Sequence, residues 1–213
     1  MKMIGSPAPR RITSFLAPAS RHTANIGTAM SLLHTIGKPI RILRDGKMQI
    51  VRGWRETRTF PLPRPLGPIR GHVFESAEVL YLPRICPSLK DVAMYVDANT
   101  FGANAVLTMA AYSNVMRRVM QGGIGWGTSM ARRFGSTVGG MAYEVEGENG
   151  HVARFAIVAK LNSYLVAIAP AVLAVQKMAN DQFTERGLVL PDRYADPFEI
   201  LRFLNSAGVE LVT

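Results

Sequence analysis

The chain has 213 residues, of which 48% are hydrophobic and 19% charged, and its net charge at pH 7 is +10. This length fits one large domain or two small ones, and the apolar content is sufficient for a buried core. The single cysteine, Cys86, excludes an intramolecular disulfide framework and a cysteine-built metal site, which favours a reducing, cytoplasmic location. No apolar run typical of a signal peptide follows Lys2.

The positive charge is concentrated in the first part of the sequence. Residues 1–90 carry a net charge of +11, whereas residues 91–213 carry −1. Such a basic half can bind nucleic acid, an anionic cofactor or an acidic partner surface. Its arginines are spread along predicted strands and turns, without the interleaved aromatic residues that stack on bases. We therefore predict no nucleic-acid partner.

The N-terminal segment, residues 1–20, combines prolines with arginines. We predict that it is an irregular arm before a single domain over residues 21–213. At the start of that domain, residues 23–35 show the helical spacing of apolar side chains. Gly37, followed by Pro39, is expected to end this helix.

Apolar runs on both sides of Asp45-Gly46 predict a β-hairpin with a glycine-containing turn. Residues 54–71 then include four prolines within eight positions, a density that excludes a central strand. We interpret them as a rigid, extended connection that covers one end of the sheet. Residues 72–82 and 91–97 have the composition of strands.

Residues 101–121 are predicted to form one helix, because their apolar side chains recur at helical spacing. The following stretch, residues 122–140, contains seven of the 19 glycines. It can be an anion-cradling loop or a mobile connection. We favour the connection, because a dinucleotide fingerprint requires a preceding strand and this stretch follows a helix. We therefore predict no cofactor-binding residues in this chain.

A second hairpin is predicted beyond the glycine-rich stretch. Apolar residues alternate with Glu144, Glu146 and Glu148, as in a half-buried strand, and Asn149-Gly150 favours a type I′ turn. The three glutamates resemble a catalytic carboxylate cluster. The alternation favours a solvated strand face instead.

The run over residues 164–175 is almost entirely apolar, which is typical of a buried helix. Residues 165–175 are about half the roughly 20 apolar residues that a bilayer span needs, so a core helix bent at Pro170 is favoured over a membrane segment. We predict that the rest of the chain packs around this helix and that no membrane is a partner. Ala167→Asp or Leu173→Asp is then expected to destabilise the protein severely.

The C-terminal helix has strong end signals. Asp196 is a predicted N-cap with Pro197 at the first helical position, Glu199 completes a capping box, and Gly208 ends the helix before a last strand. Taken together, the elements predict an α+β fold with a mixed, mainly antiparallel sheet and helices packed on one face. The helices predicted on that face are residues 23–35, 101–121 and 162–179.

Residues with ligand-binding chemistry are few. Arg52, Arg55 and Arg58 can hold a carboxylate or phosphate of a substrate through bidentate contacts, or form a solvent-facing edge. Cys86 is interpreted as an apolar filler rather than a nucleophile. No metal site is predicted, since the four histidines lack ligand spacing: His22, His34, His72 and His151. No catalytic motif is present, so the catalytic residues are unknown.

The order of the segments resembles the C-terminal, substrate-side part of saccharopine dehydrogenase-like oxidoreductases. The resemblance covers most of residues 20–213. It is carried by NIGT at residues 25–28, IRILRDGKM at 40–48 and LPR at 82–84. The remaining matches are YLVAIAPAVLA at residues 164–174 and GLVLPDRYADPFEILRFLNSAGVEL at 187–211.

In that family a Rossmann domain that binds NAD(P) precedes this region, and its glycine fingerprint is missing here. The resemblance therefore implies the substrate-binding and dimerising half of an NAD(P)-dependent oxidoreductase, inactive alone. NAD(P) would belong to the complete enzyme, and whether this chain is itself an enzyme stays open. The alternative is a stand-alone α+β module that binds a small acidic ligand or a protein partner.

The resemblance also implies an oligomer, either a homodimer or a complex with a separate Rossmann-domain chain. We expect this contact to form through the sheet face opposite the helices, because strands such as residues 92–96 offer apolar side chains to both faces. The proline-rich residues 60–71 could instead cover that face.

Overall fold

The computed structural model describes residues 8–62, 64–160, 163–187, 189 and 195–212. These residues form nine strands in one sheet. The strands are β1 (Pro9–Ala17), β2 (Pro39–Arg44), β3 (Lys47–Arg52), β4 (Thr57–Pro61), β5 (Pro68–Phe74), β6 (Asp91–Val96), β7 (Gly139–Gly147), β8 (Val152–Ala159) and β9 (Val209–Val212).

The main path through the sheet runs β3-β2-β6-β1-β7-β8-β9, and β5 joins β6 and carries β4 beside it. The pair β1–β6 is parallel, with Phe15 opposite Tyr95, and the other strand pairs are antiparallel. The sheet is therefore mixed and mainly antiparallel, which confirms the predicted α+β class.

Helices fill the connections between the strands. They are α1 (Ser20–Thr23), α2 (Ile26–Thr35), α3 (Glu78–Ile85), α4 (Ala103–Tyr112), α5 (Asn114–Gly122), α6 (Ile124–Phe134), α7 (Tyr164–Ala179) and α8 (Pro197–Ser206). Neighbouring residues of a strand point to opposite faces of the sheet. The contacts of successive residues of β1 therefore show which face of the sheet the helices cover. Ile12 and Leu16 pack with the helices, whereas Phe15 and Ala17 pack with a separate cluster on the other face.

That other face is covered by the β4–β5 hairpin. Phe60 and Ile69 pack over Phe15 and Tyr95, and the ring centroids of Phe15 and Phe60 lie 4.5 Å apart. Prolines do not prevent this pairing, since Pro61 and Pro68 face each other at the hairpin end and β4 is an edge strand. Residues from the proline-rich segment therefore cover this part of the face, as the alternative role predicted for residues 60–71 requires, and an oligomer contact stays a prediction.

The two predicted hairpins differ in their turns. In the β2–β3 turn both Asp45 and Gly46 have positive φ, 52° and 72°, as a type I′ turn requires. In the β7–β8 connection Gly150 has φ +77° and Asn149 does not have positive φ. The predicted type I′ turn is therefore wrong. Such a turn joins the strands with two residues of positive φ, whereas here four residues separate β7 from β8 and one of them has positive φ.

The predicted irregular arm is wrong for the residues that form β1. This strand lies between β6 and β7, near the centre of the sheet. Its apolar residues Phe15 and Ala17 have no exposed surface. Prolines and arginines near the chain start indicated an arm, but Pro9 occupies the first strand position, where proline is tolerated.

Three helical boundaries differ from the sequence predictions. The strand predicted over residues 72–82 gives way to α3 at Glu78, whose N–H donates to Ser76 Oγ at 3.1 Å. The single helix predicted over residues 101–121 is interrupted by Ser113, which caps α5 by accepting from the Met116 N–H at 3.2 Å. The glycine-rich stretch is largely helical, because α6 lies within it.

The apolar helix α7 is not the centre of the fold. Ala169 is the fully buried residue of α7, whereas Tyr164 is 48% exposed and Val175 63%. The helix packs against α8 and the end of β8 through one side only. An all-round apolar sequence does not distinguish a central helix from a peripheral one that leaves an apolar side exposed. Asn162, the first residue of the helix predicted over residues 162–179, lies outside the described residues.

Burial predicts how substitutions in α7 differ. Ala169→Asp is expected to lower the free energy of unfolding by about 3 kcal/mol, since an unpaired carboxylate would enter a packed contact. Ala167 is exposed, so Ala167→Asp is expected to change stability by less than about 0.5 kcal/mol, contrary to the sequence-based expectation. Urea denaturation of both variants checks this. Equal destabilisation by both would contradict the peripheral placement of α7.

His72 is a buried titratable group. Its ring stacks on that of Trp54 with centroids 4.6 Å apart, and its Nδ1 lies 3.1 Å from the Trp54 carbonyl oxygen. Burial lowers the pKa of His72 below its ordinary value of 6.5.

The lowered pKa of His72 predicts a loss of stability in mild acid. Between the folded pKa and about 6.5 the unfolded chain binds more protons, so the free energy of unfolding falls as pH drops through this window. In His72→Gln the slope between pH 7 and pH 5.5 should be shallower. Urea titrations at several pH values measure it, and an unchanged slope would contradict the assignment.

Candidate functional site

A cavity of about 320 Å³ opens at the amino-terminal ends of the parallel strands β1 and β6. Strands β2 and β4 supply the remaining walls. We call it the charged cavity, and its polar lining is Arg11, Thr13, Arg44, Asp45, Arg58, Asp91 and Tyr95. Its volume lies at the lower end of the range for small-molecule sites, roughly 300–1,000 Å³.

The arginines of the charged cavity are anchored by carboxylates around it. Arg11 Nη1 donates to Glu146 Oε2 at 2.8 Å, and its Nε lies 3.7 Å from Asp91 Oδ2. Arg44 Nη2 donates to Glu56 Oε2 at 2.6 Å, and this hydrogen bond raises the pKa of Arg44. These contacts fix the guanidinium groups in place.

Arg58 reaches across the sheet from β4. Its Nη1 donates to Thr13 Oγ1 at 3.0 Å and its Nη2 donates to Glu144 Oε1. The other oxygen of Glu144 accepts from Arg154 Nε at 2.9 Å. Glu144 is only 6% exposed, so its predicted place on a solvated acidic face is wrong. The reason is that the β4–β5 hairpin covers that face and brings Arg58 to it.

The cavity retains capacity for a charged ligand. Each guanidinium has five N–H donors, and the contacts described occupy at most two of them. The side chains of Arg11, Arg44 and Arg58 are 35% to 39% exposed, so their remaining donors are accessible. Burial raises the pKa of Tyr95, which keeps its hydroxyl protonated at neutral pH. With Asp91 as acceptor, the lining suits a small molecule with a carboxylate and an ammonium group.

The structure separates the three arginines predicted to bind substrate. Of the three, Arg58 lines the charged cavity. Arg52 Nη1 donates to the Gly37 carbonyl at 3.1 Å, just beyond the end of α2. Arg55 donates through Nε and Nη2 to the Ala111 carbonyl at 3.1 and 3.0 Å, in the last turn of α4. The contact of Arg55 satisfies a carbonyl at the end of a helix, where no intrahelical donor is available, and substrate binding by Arg52 and Arg55 stays a prediction.

A second polar cluster lies on the helix-covered face of the sheet. Ser14 Oγ donates to Glu78 Oε2, and the Tyr143 hydroxyl donates to Glu78 Oε1 at 3.2 Å. Burial raises the pKa of Tyr143, and the Glu78 carboxylate adds to the shift. Tyr143 therefore remains a hydrogen-bond donor and ties the first turn of α3 to the sheet.

The carboxyl ends of β1 and β6, where open α/β sheets usually bind ligands, are filled by the protein itself. Asn99 Nδ2 donates to the carbonyls of Pro18 and Val138 at 2.9 and 2.8 Å. Ser20 Oγ donates to the Asn99 carbonyl at 2.6 Å and accepts from Thr100 Oγ1. These bonds join the loops and favour the opposite end of the strands as the ligand site.

A further cavity of about 400 Å³ lies between α7 and α8. It is lined by the ion pair of Lys177 and Glu199, whose Nζ and Oε2 atoms lie 2.6 Å apart, and by Arg202. Two surface helices form this further cavity. The charged cavity is formed by four strands and is lined by side chains of both charges. The charged cavity is therefore the stronger candidate.

The described part of the chain contains no group of three or more His, Cys, Asp or Glu residues arranged to hold a metal ion. Within the same residues, no helix combines the length and apolar character of a membrane span. Cys86 packs beside Val79 and Leu89, as the interpretation of an apolar filler predicts.

The fold is similar to a solved structure, the apo histidine-tagged saccharopine dehydrogenase (L-Glu forming) from Saccharomyces cerevisiae. The TM-score is 0.52 at 12% sequence identity, and the match covers 97% of this chain and 68% of that one. No protein-family model and no curated protein matches the sequence. At this identity the likeness shows a shared fold.

Proposed function

We propose that the chain is the substrate-binding half of a saccharopine dehydrogenase-like NAD(P)-dependent oxidoreductase. The observation that carries the proposal is the charged cavity, in which three half-exposed arginines face two aspartates. The shared fold with a saccharopine dehydrogenase supports it. The substrate in this proposal is a small acidic or zwitterionic molecule of the amino-acid class, held by its carboxylates on the arginines.

The proposal places the dinucleotide of such an oxidoreductase outside this chain. The glycine-rich stretch leads from α5 into α6, so it lacks the strand that aims a helix at a pyrophosphate. In this proposal NAD(P) is bound by another domain or chain, and no reaction step is assigned to the residues of this one. The catalytic residues of the proposed oxidoreductase therefore stay unassigned.

The proposal includes a contact surface for a second chain. Exposed apolar residues follow one side of α7 at helical spacing: Tyr164, Ile168, Val175 and Met178. With the sheet face covered by β4 and β5, this side of α7 is the better candidate for a homodimer contact or for a complex with a dinucleotide-binding chain.

Calorimetry with L-glutamate as the probe tests the cavity. We expect binding that is weakened at least tenfold in Arg44→Gln, because one anchored guanidinium is lost. The matched control is Arg41→Gln, which changes an exposed arginine on the same strand and should leave binding unchanged. NAD(P) alone should show no micromolar affinity. Absence of L-glutamate binding, or equal loss in both variants, would contradict the proposal.

A further inference from the structure

The layer formed by α4, α5 and α6 is cationic. Residues 98–143 contain no aspartate or glutamate, although the chain has 15 acidic residues. The same residues contain four arginines: Arg117, Arg118, Arg132 and Arg133. No carboxylate within the layer neutralises them, so the layer carries a positive charge at any physiological pH.

The same layer exposes large apolar side chains. Phe101 is 97% exposed, Val115 73%, Trp126 72%, Val119 63% and Phe134 61%. Single exposed apolar residues are ordinary, but these five large ones within residues 101–134, three of them aromatic, indicate a surface with a binding function. Arg133 lies over the ring of Phe134 at 5.8 Å, so charge and apolar surface are adjacent.

Helical geometry places these residues on the outer side of the layer. The inner sides of the three helices pack into one core cluster: Leu107, Ala110, Ala111, Met116, Met120 and Ile124. Val115 and Val119 are one turn apart on the exposed side of α5, with Arg118 between them. Trp126 and Arg133 are two turns apart on the exposed side of α6. The outer side of α4–α6 therefore combines arginines with apolar residues.

We propose that the outer side of α4–α6 binds the surface of a bilayer that contains anionic lipids. Arginines would contact lipid phosphates while Trp126 and Phe134 enter the interface, as in helices that lie on membranes. The helices have 10, 9 and 11 residues, so they would lie in the membrane plane and not cross it. The sequence predicted no membrane partner because its apolar run is too short to span a bilayer. Helices that lie on the membrane surface need no spanning segment.

Other occupants fit the surface less well. A second copy bound through the same face would oppose arginines to arginines, and residues 98–143 offer no carboxylate to pair them. Single-stranded nucleic acid is bound by stacking on aromatic rings, whereas Val115 and Val119 supply aliphatic surface that does not stack. An anionic lipid surface matches both the charge and the aliphatic side chains.

Vesicle co-sedimentation tests the proposal with the full chain. We expect binding to vesicles of phosphatidylcholine and phosphatidylglycerol at 3:1, at least tenfold weaker binding to pure phosphatidylcholine, and weakening by salt. Tryptophan emission should shift to the blue on binding. Trp126 would report it, because Trp54 is 1% exposed and already buried.

Matched variants locate the contact. Arg118→Gln with Arg133→Gln should reduce binding to the anionic vesicles at least tenfold, and Val119→Asp should act similarly. Arg41→Gln with Lys47→Gln removes the same charge from the β2–β3 hairpin and should have little effect. The proposal is overturned if anionic vesicles do not bind or if both double variants lose binding equally. It is also overturned if light scattering without lipid shows a dimer that Val119→Asp abolishes, since the surface then serves self-association.

Discussion

Phe15→Ala is expected to lower the free energy of unfolding by about 3–5 kcal/mol. Phe15 has no exposed surface and lies in β1, near the centre of the sheet. Its ring centroid is 4.5 Å from that of Phe60 and 5.6 Å from that of Tyr95, so its removal leaves a cavity between the sheet and the β4–β5 hairpin. Urea denaturation followed by circular dichroism measures the change.

The control for this prediction is another phenylalanine. Phe101 is 97% exposed, so Phe101→Ala should change stability by less than about 0.5 kcal/mol. A loss below about 1 kcal/mol for Phe15→Ala would mean that β1 does not hold the centre of the fold.

Arg58→Met is expected to cost about 3 kcal/mol of stability. The substitution leaves the buried carboxylate of Glu144 with Arg154, whose side chain is 56% exposed, as its remaining charged partner. Because Arg58 also bonds to Thr13, the loss would loosen the β4–β5 hairpin over the sheet. Thermal and urea denaturation at pH 7 measure the effect.

A double variant separates the charge from the packing. Arg58→Met with Glu144→Leu removes the unpaired carboxylate, and apolar replacement of buried ion pairs is often nearly neutral. We expect the double variant to recover at least half of the loss. If it is less stable than Arg58→Met alone, the buried pair is not the reason for the destabilisation.

The elements predicted well from the sequence depend on neighbouring residues. Asp45-Gly46 determines its turn through two positive φ values, and Gly37 takes φ +68° after α2. Asp196 caps α8 by accepting from the Phe198 N–H at 3.3 Å, as its position before Pro197 predicts. These signals act over a few residues and need no tertiary context.

The errors arise where distant segments decide the outcome. β1 is a strand because β6 and β7, far away in the sequence, pair with both of its edges. The same separation explains the charged cavity. The sequence indicated Arg58 because it is close to two other arginines in the chain. Arg11 and Asp91 come into contact through the parallel pairing of β1 with β6. No local spacing connects positions 80 residues apart.

Glu144 shows that the burial of a strand face depends on which segments pack over it. Alternation of glutamates with apolar residues correctly predicted strand β7, but assigned the glutamate side to solvent. The proline-rich segment supplies β4 and β5, which cover that side and pair Glu144 with Arg58. The pattern alone shows that the strand has two different faces, and it does not reveal which face a hairpin from a distant part of the chain covers.

NMR titration of the ¹⁵N-labelled chain with L-glutamate is the most direct test of the charged cavity as the substrate site. The account predicts saturable shifts confined to the amides of residues 11–13, 42–45, 58 and 91–95, and their loss in Arg44→Gln. Shifts centred on Lys177 and Arg202 between α7 and α8, or no shifts at millimolar L-glutamate, would contradict it.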